Sequence, residues 1–120
     1  MKIAIPVDEN RLETAVCVSL GRAPYFMFYN TENQEITFQE NTAAHAQGGA
    51  GIKCAQFIVD SKSDILLTLR CGENAAEVLT ATNIKIYKTR AETARESIAT
   101  FEKGELPIMT QFHAGFHGEQ

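Results

Sequence analysis

A continuous apolar run, Ile65 to Leu69, constrains the fold of this 120-residue chain more than any other segment. A strand with one face in water alternates apolar and polar residues, whereas a strand covered on both faces is apolar throughout. Helical patterns flank the run on both sides, at residues 51–60 and 73–81. The sequence therefore predicts a central strand of a parallel sheet that has helices above and below it.

The other elements follow from the spacing of the apolar residues. Three early segments are predicted to be strands of an antiparallel sheet: Lys2 to Val7, Tyr25 to Tyr29 and Ile36 to Phe38. A short strand is also predicted at Ile84 to Tyr87, and a third helix is predicted to begin with a capping box at Thr89 and Glu92. The predicted fold class is α/β, with a mixed five-stranded sheet in which three antiparallel strands precede helix-strand-helix-strand-helix crossovers.

Size and charge restrict the classes of protein to which the chain can belong. A chain of 120 residues suffices for one domain that buries roughly two-thirds of its unfolded surface. We predict a domain over residues 1–107 and a mobile, histidine-containing tail over 108–120, because the periodicity is lost after Pro107. A net charge of −4 provides no basic face for nucleic acid, and no signal peptide or membrane-spanning run is recognised. We expect a cytoplasmic protein that binds neither nucleic acid nor membrane.

A glycine-rich turn, Gly48 to Gly51, runs directly into the first predicted helix. Such a turn exposes backbone N–H groups and suits an anion. It lacks the lysine-serine or lysine-threonine pair of a nucleotide P-loop, so nucleotide binding is disfavoured. The turn is either a packing device or a cradle for another anion. Arg22, beside Gly21, is a loop guanidinium that can clamp an anion or make a surface ion pair.

The three cysteines are far apart in the sequence and odd in number, which argues for reduced thiols and against a disulfide framework. Cys71 directly follows the buried strand, so its thiol is expected to project at the carboxyl edge of the sheet, where crevices form. A thiolate there favours iron-sulfur, copper or molybdenum-sulfur species, and the alternative is a small buried hydrophobe. Cys54 is expected in the core, and Cys17 is expected in a loop.

Histidines and acids offer further candidate ligands. His45 precedes the glycine turn, while His113 and His117 lie in the tail at a spacing that would bring them together on one helical turn. A metal role for them requires a third ligand, and the alternative is that they are simply solvated. Asp8 could hold Mg²⁺ with another acid, but Asp64 begins its predicted strand, so Asp8 is interpreted as a turn residue.

Four segments taken in order resemble one known family: Met1 to Asp8, Leu20 to Phe26, Gly48 to Ile52 and Asn83 to Tyr87. The chain resembles the dinitrogenase iron-molybdenum cofactor biosynthesis family, which includes NifX, the carboxyl-terminal domain of NifB and the molybdenum-copper orange protein. The resemblance extends to about Leu106. It implies a ribonuclease H-like three-layer α/β/α fold without nuclease carboxylates. Family members commonly have a histidine where this chain has Ser19.

The resemblance also implies a function: a non-catalytic carrier of a metal-sulfur cluster or its precursor, with cluster donor or acceptor proteins as partners. We expect the cluster, iron-sulfur or molybdenum/copper-sulfur, to be loosely bound in a shallow electropositive crevice. The predicted crevice residues are Ser19, Gly21, Arg22, Gly48, Gly49, Gly51 and Cys71, and the predicted metal ligands are Cys71, His45, His113 and His117. The protein is expected to be a monomer or a weak homodimer. Two alternatives remain: a Mg²⁺-dependent nuclease on the same fold, and a protein-interaction module without a cofactor.

Overall fold

In a computed structural model of the protein, residues 1–45, 48–90, 92–110 and 112 are described. These residues contain five strands and three α-helices: β1 Lys2–Val7, β2 Tyr25–Asn30, β3 Ile36–Glu40, α1 Ala50–Asp60, β4 Ile65–Thr68, α2 Glu73–Ala81, β5 Lys85–Lys88 and α3 Ala94–Glu102. Two 3₁₀ turns, Leu20–Arg22 and Thr42–His45, precede β2 and α1. The predicted order of elements is confirmed. In this part of the chain no helix has the length and apolarity that crossing a bilayer demands.

The five strands form one mixed sheet in the order β3-β2-β1-β4-β5. β1 pairs antiparallel with β2, and β2 pairs antiparallel with β3. β4 lies parallel between β1 and β5, with Ile65 beside Ile3 on one side and Lys85 on the other. All four residues of β4 are buried, which explains why this segment is apolar without alternation.

Helices cover both faces of the sheet and make three layers. On one face, α1 and α2 pack against a core that includes Ala4, Phe26 and Phe28. The rings of Phe26 and Phe28 lie 5.6 and 6.1 Å from the ring of Phe57 in α1. On the other face, α3 packs through Ile98 on a second core that includes the alternate strand residues. The predicted ribonuclease H-like α/β/α arrangement is therefore confirmed.

The capping box of α3 lies four residues beyond the predicted one. The Thr93 hydroxyl accepts from the Glu96 N–H at 3.1 Å, and the Glu96 carboxylate accepts from the Thr93 N–H at 2.9 Å. The prediction at Thr89 and Glu92 was wrong because the Thr89 N–H donates to the Thr68 carbonyl at 3.0 Å. The Thr89 N–H is therefore not available to the Glu92 carboxylate, as a capping box requires, and α3 begins only at Ala94.

The chain continues to pack beyond residue 107, where the sequence predicts that the domain ends. The Lys88 N–H donates to the Pro107 carbonyl at 2.9 Å, and the Met109 N–H donates to the Ile86 carbonyl at 2.7 Å. Residues 107–109 therefore lie along the outer side of β5. The division into one domain and a tail stays a prediction, and residues 113–120 lie outside the described part of the chain.

A close approach between two backbones joins the first 3₁₀ turn to α1. A Cβ atom on Gly21 would lie 3.1 Å from the Gly51 nitrogen and 3.3 Å from the Ala50 carbonyl carbon. Real Cβ atoms rarely come so close to backbone, so this approach requires glycine at position 21. We call this approach the glycine contact. It holds the loop of residues 19–22 against the first turn of α1.

The glycine contact gives a stability prediction. Gly21→Ala should lower the free energy of unfolding by about 1 to 3 kcal/mol, because the methyl group forces the turn and the helix apart. Gly48→Ala is the matched comparison, because no heavy atom of the described residues outside Gly48 and its chain neighbours lies within 4 Å of a Cβ at Gly48. It should change stability by no more than about 0.5 kcal/mol. Urea unfolding of both variants measures this, and equal stabilities would contradict the contact.

Candidate functional site

The parallel strands β1, β4 and β5 end at the same edge of the sheet, and the loop after β1 folds back over this edge. The Cys17 N–H donates to the Pro6 carbonyl at 2.9 Å, and Val16 bridges to Val7. These bonds place Cys17 and Ser19 beside the end of β1. The chain then enters the first 3₁₀ turn, whose Gly21 makes the glycine contact. The structure therefore brings the loop of residues 19–22 and the turn of residues 48–51 together.

Two helices begin at this edge with glycine at the N-cap. Gly49 caps α1 in the left-handed region at φ 67°, and Gly72 caps α2. Neither glycine has a side chain that could accept from the first-turn N–H groups, in contrast to Thr93 of α3. The two first turns are neighbours, because a Cβ on Gly51 would lie 3.8 Å from the Ala75 Cβ. Adjacent helix N-termini without a capping side chain favour an anion.

Arg22 connects the two 3₁₀ turns. Its Nη1 donates to the Ala44 carbonyl at 2.7 Å, and its side chain is exposed. The guanidinium therefore holds the loop of residues 19–22 against the turn Thr42–His45. Its predicted role in clamping an anion stays a prediction. His45 follows Ala44 directly, but its side chain lies outside the described part of the structure.

Cys54 lies in the core beside the glycine contact and hydrogen-bonds to its loop. Its thiol donates to the Leu20 carbonyl at 3.2 Å and receives a hydrogen bond from the amide of buried Asn41 at 3.9 Å. The same Asn41 amide donates to the Ala23 carbonyl at 2.9 Å. Cys54 is fully buried, as predicted, and burial raises the pKa of its thiol far above the usual range.

Cys71 lies directly after β4, at the predicted carboxyl edge of the sheet, and its side chain is buried there. It is only 2% exposed, and burial raises the pKa of its thiol to about 12. Met109 and Phe112 pack against the same core and help to enclose this end of the sheet. The thiol is therefore protonated and enclosed at neutral pH. The structure does not bring Cys71 into the glycine contact.

Cys17 is the most accessible of the three thiols, and it lies in the loop where the sequence predicts it. Its side chain is partly exposed and donates to the Ser19 carbonyl at 3.5 Å. Burial raises the pKa of this thiol, and the nearby Asp8 carboxylate raises it further. Both Cys17 and Cys71 are close enough to Cys54 to raise the pKa of the Cys54 thiol. The fold thus brings close together three cysteines that are far apart in the sequence. The one sequence signal for this was the position of Cys17, two residues before the predicted site residue Ser19.

The acids that a nuclease would need are at opposite ends of the sheet. Asp8 follows β1 at the carboxyl edge, whereas the Asp64 carboxylate accepts from the Lys2 N–H at 2.9 Å, at the start of β1. A six-residue strand separates them by roughly 20 Å, so they cannot share one metal ion. Within the described ranges no three His, Cys, Asp or Glu side chains are grouped to hold a metal. His113 and His117 lie outside these ranges.

A cavity of about 420 Å³ lies where β4 and β5 end. It is lined by Leu69, Arg70, Cys71, Lys88, Pro107, Ile108, Met109, Thr110 and Phe112. Of the predicted site residues that the structure describes, Cys71 alone lines this cavity. The predicted single crevice is therefore divided between the glycine contact and a separate cavity beside β5.

Comparison with known proteins identifies a matching family and several similar solved structures. The family model described as "dinitrogenase iron-molybdenum cofactor" matches residues 1–104. An uncharacterized protein of Methanocaldococcus jannaschii is 33% identical over 109 residues, which cover 88% of this chain and 89% of the relative. The match includes both parts of the glycine contact.

Two solved structures are similar over nearly the whole chain. The apo form of the orange protein from Desulfovibrio gigas matches with a TM-score of 0.85 and 28% identity, covering 91% of this chain and 92% of that one. A Thermotoga protein, suggested to be a NifB protein and placed in the DUF35 family, matches with a TM-score of 0.83 and 34% identity, covering 95% and 97%. The resemblance inferred from the four sequence segments is confirmed: the chain belongs to the dinitrogenase iron-molybdenum cofactor family.

Proposed function

We propose that this protein binds and carries a metal-sulfur cluster or its precursor, iron-sulfur or molybdenum/copper-sulfur, and does not catalyse a reaction. Family membership supports a role connected with a metal cluster or cofactor. The observation that carries the proposal is the glycine contact, which holds the loop of residues 19–22 against a helix N-terminus whose cap residue is glycine. We assign the cluster to this place.

The chemistry of this place suits a sulfide-rich anion. First-turn N–H groups and the positive ends of α1 and α2 can interact with sulfide edges without covalent bonds. The Ser19 hydroxyl and the Arg22 guanidinium are the nearest polar side chains of the predicted set. Acids also border the site, since Asp8 ends β1 and Glu73 lies in the first turn of α2. Attraction from backbone dipoles, opposed by these two carboxylates, agrees with loose binding.

We infer that Cys17 is the thiol that first meets the cluster. A thiol must lose its proton to bind a metal, and it must reach the metal. Cys17 is partly exposed beside Ser19, whereas Cys71 is enclosed with its pKa raised to about 12. His45, His113 and His117 stay predicted as additional ligands.

Cluster loading tests the proposal. Apo-protein incubated without oxygen with copper and tetrathiomolybdate, or with iron and sulfide, should keep visible charge-transfer absorption after desalting. Arg22→Gln should weaken cluster binding about tenfold, because a charge-assisted interaction is lost. Arg95→Gln is the matched control and should bind normally, since Arg95 lies on α3, across the sheet, paired with Glu13 at 2.7 Å.

Two outcomes would count against this assignment. A colourless protein after desalting in both preparations would leave the interaction module without a cofactor as the better explanation. If Arg22→Gln and Arg95→Gln bind the cluster with equal affinity, the protein would still be a carrier, but the cluster would bind somewhere other than the glycine contact. Arg22→Lys separates the two roles of Arg22, because lysine keeps the charge but not the planar geometry.

Thiol alkylation tests the inference about Cys17. Iodoacetamide at mildly alkaline pH should modify Cys17 at least about tenfold faster than Cys54 or Cys71, because reactivity requires an accessible thiolate. Peptide mass spectrometry gives the rates, and a bound cluster should protect Cys17. In denaturant the three thiols should react at similar rates. If Cys71 reacts as fast as Cys17 in the folded protein, Cys71 is equally accessible and the inference that Cys17 first meets the cluster is wrong.

The pH dependence of stability tests the burial of Cys71 directly. The pKa of this thiol is raised from 9.0 to about 12 on folding. Above pH 9 the unfolded chain releases a proton that the folded protein keeps, so the free energy of unfolding falls as the pH rises toward 12. One such thiol contributes a slope of up to about 1.4 kcal/mol per pH unit. In urea unfolding at several pH values, Cys71→Ala should show a shallower slope than the natural protein. An identical slope would mean that Cys71 is open to solvent.

A further inference from the structure

We propose that the cavity beside β5 is a binding site for a small organic anion with an apolar body. This site is separate from the glycine contact, because none of residues 19–22 or 48–51 lines it. The proposal therefore does not rest on cluster binding. A volume of about 420 Å³ lies within the range of small-molecule sites, roughly 300 to 1,000 Å³.

The outer wall of the cavity is built by backbone hydrogen bonds. Residues 107–109 lie along β5 through the bonds from Lys88 to Pro107 and from Met109 to Ile86. Ile108 also bridges to Tyr87 in the antiparallel sense. On the inner side, Met109 and Phe112 pack against the core that contains Cys71. The cavity is thus formed before any ligand binds, which lowers the entropy cost of binding.

The lining is about equally polar and apolar, and part of its apolar surface is exposed. Leu69, Pro107, Ile108, Met109 and Phe112 supply the apolar surface. Ile108 keeps 51% of its surface exposed, although it sits in a hydrogen-bonded segment. A large apolar side chain held at the border of a cavity gains from contact with an apolar ligand. The lining therefore favours an aromatic or branched carbon body.

Two cations stand at the same cavity. Lys88 is the last residue of β5 and pairs with Thr68, and Arg70 follows two residues after Thr68, so both lie at the carboxyl ends of neighbouring parallel strands. Both side chains are exposed, and neither forms an ion pair with any residue that the structure describes. Among the residues that the structure describes, no carboxylate lines the cavity, although the whole chain carries a net charge of −4. This local excess of positive charge favours an anionic head group.

The two parts of the lining define the class of ligand. An inorganic anion would leave the apolar surface in water, and a neutral apolar molecule would leave Arg70 and Lys88 without a partner. A carboxylate, sulfonate or phosphate monoester on an apolar body satisfies both. Thr110 offers a hydroxyl to the head group. The carboxyl ends of parallel strands are also where open α/β sheets bind their ligands.

Anilinonaphthalene sulfonate is a suitable probe, because it joins one negative charge to an aromatic body and fluoresces when bound in apolar surroundings. Titration of the full chain should give saturable binding at a single site. Amide chemical-shift changes in NMR should map to residues 69–71, 88 and 108–110. The neutral analogue phenylnaphthylamine should bind at least about tenfold more weakly, since it lacks the charge-assisted contact.

Charge-removing variants complete the test. Arg70→Gln and Lys88→Gln should each weaken probe binding about tenfold. Lys85→Gln is the matched control, because it removes one positive charge from the opposite end of β5, and it should change the affinity by less than about twofold. Non-saturable binding, shifts that map to residues 19–22 and 48–51, or equal weakening by all three variants would overturn the proposal. If Arg70→Gln and Lys88→Gln do not fold, the NMR shift map and the affinity of the neutral analogue still test the proposal.

Discussion

The burial of β4 on both faces is the constraint on which the rest of the structure depends. A strand with β1 on one side, β5 on the other and helices above and below has no surface in water, so each of its four residues is apolar or fully enclosed. Because its neighbours run parallel to it, their connections must cross over the sheet as helices. The crossovers place the first turns of α1 and α2 beside the ends of β1 and β4, where open sheets bind ligands.

Two chemically different places result along this one edge. At the glycine contact, backbone N–H groups and helix dipoles dominate, and the side chains present are of mixed charge. Beside β5, the side chains of Arg70 and Lys88 dominate over an apolar lining. Cys71 lines the inner side of the cavity beside β5 and is almost fully buried, and burial raises the pKa of its thiol. The two proposed sites would therefore offer different sets of donors to an inorganic and an organic anion, and neither set needs the other.

The sequence predicted the fold well because periodicity reports burial, and burial defines layers. It predicted the cap of α3 wrongly because Thr89-Glu92 and Thr93-Glu96 have the same spacing, and only the hydrogen bond from Thr89 to β4 excludes the first. The sequence left two alternatives open for Cys71, a ligand at the sheet edge or a small buried hydrophobe, and it could not decide between them because Met109 and Phe112, which pack against the same core, lie about forty residues later in a segment without periodicity. The cavity was missed for the same reason. Gly21 and Gly51 were both singled out, but their contact is a property of the folded chain alone.

The hydrogen-bonded segment at residues 107–109 also has a consequence for self-association. Sheets extend between molecules through strands whose N–H and C=O groups are unpaired, and this segment already occupies part of the outer side of β5. β3 is the terminal strand on the opposite side, and its exposed residues include Thr37, Gln39 and Glu40. Two copies that join by strand pairing would therefore meet through β3 about a twofold axis.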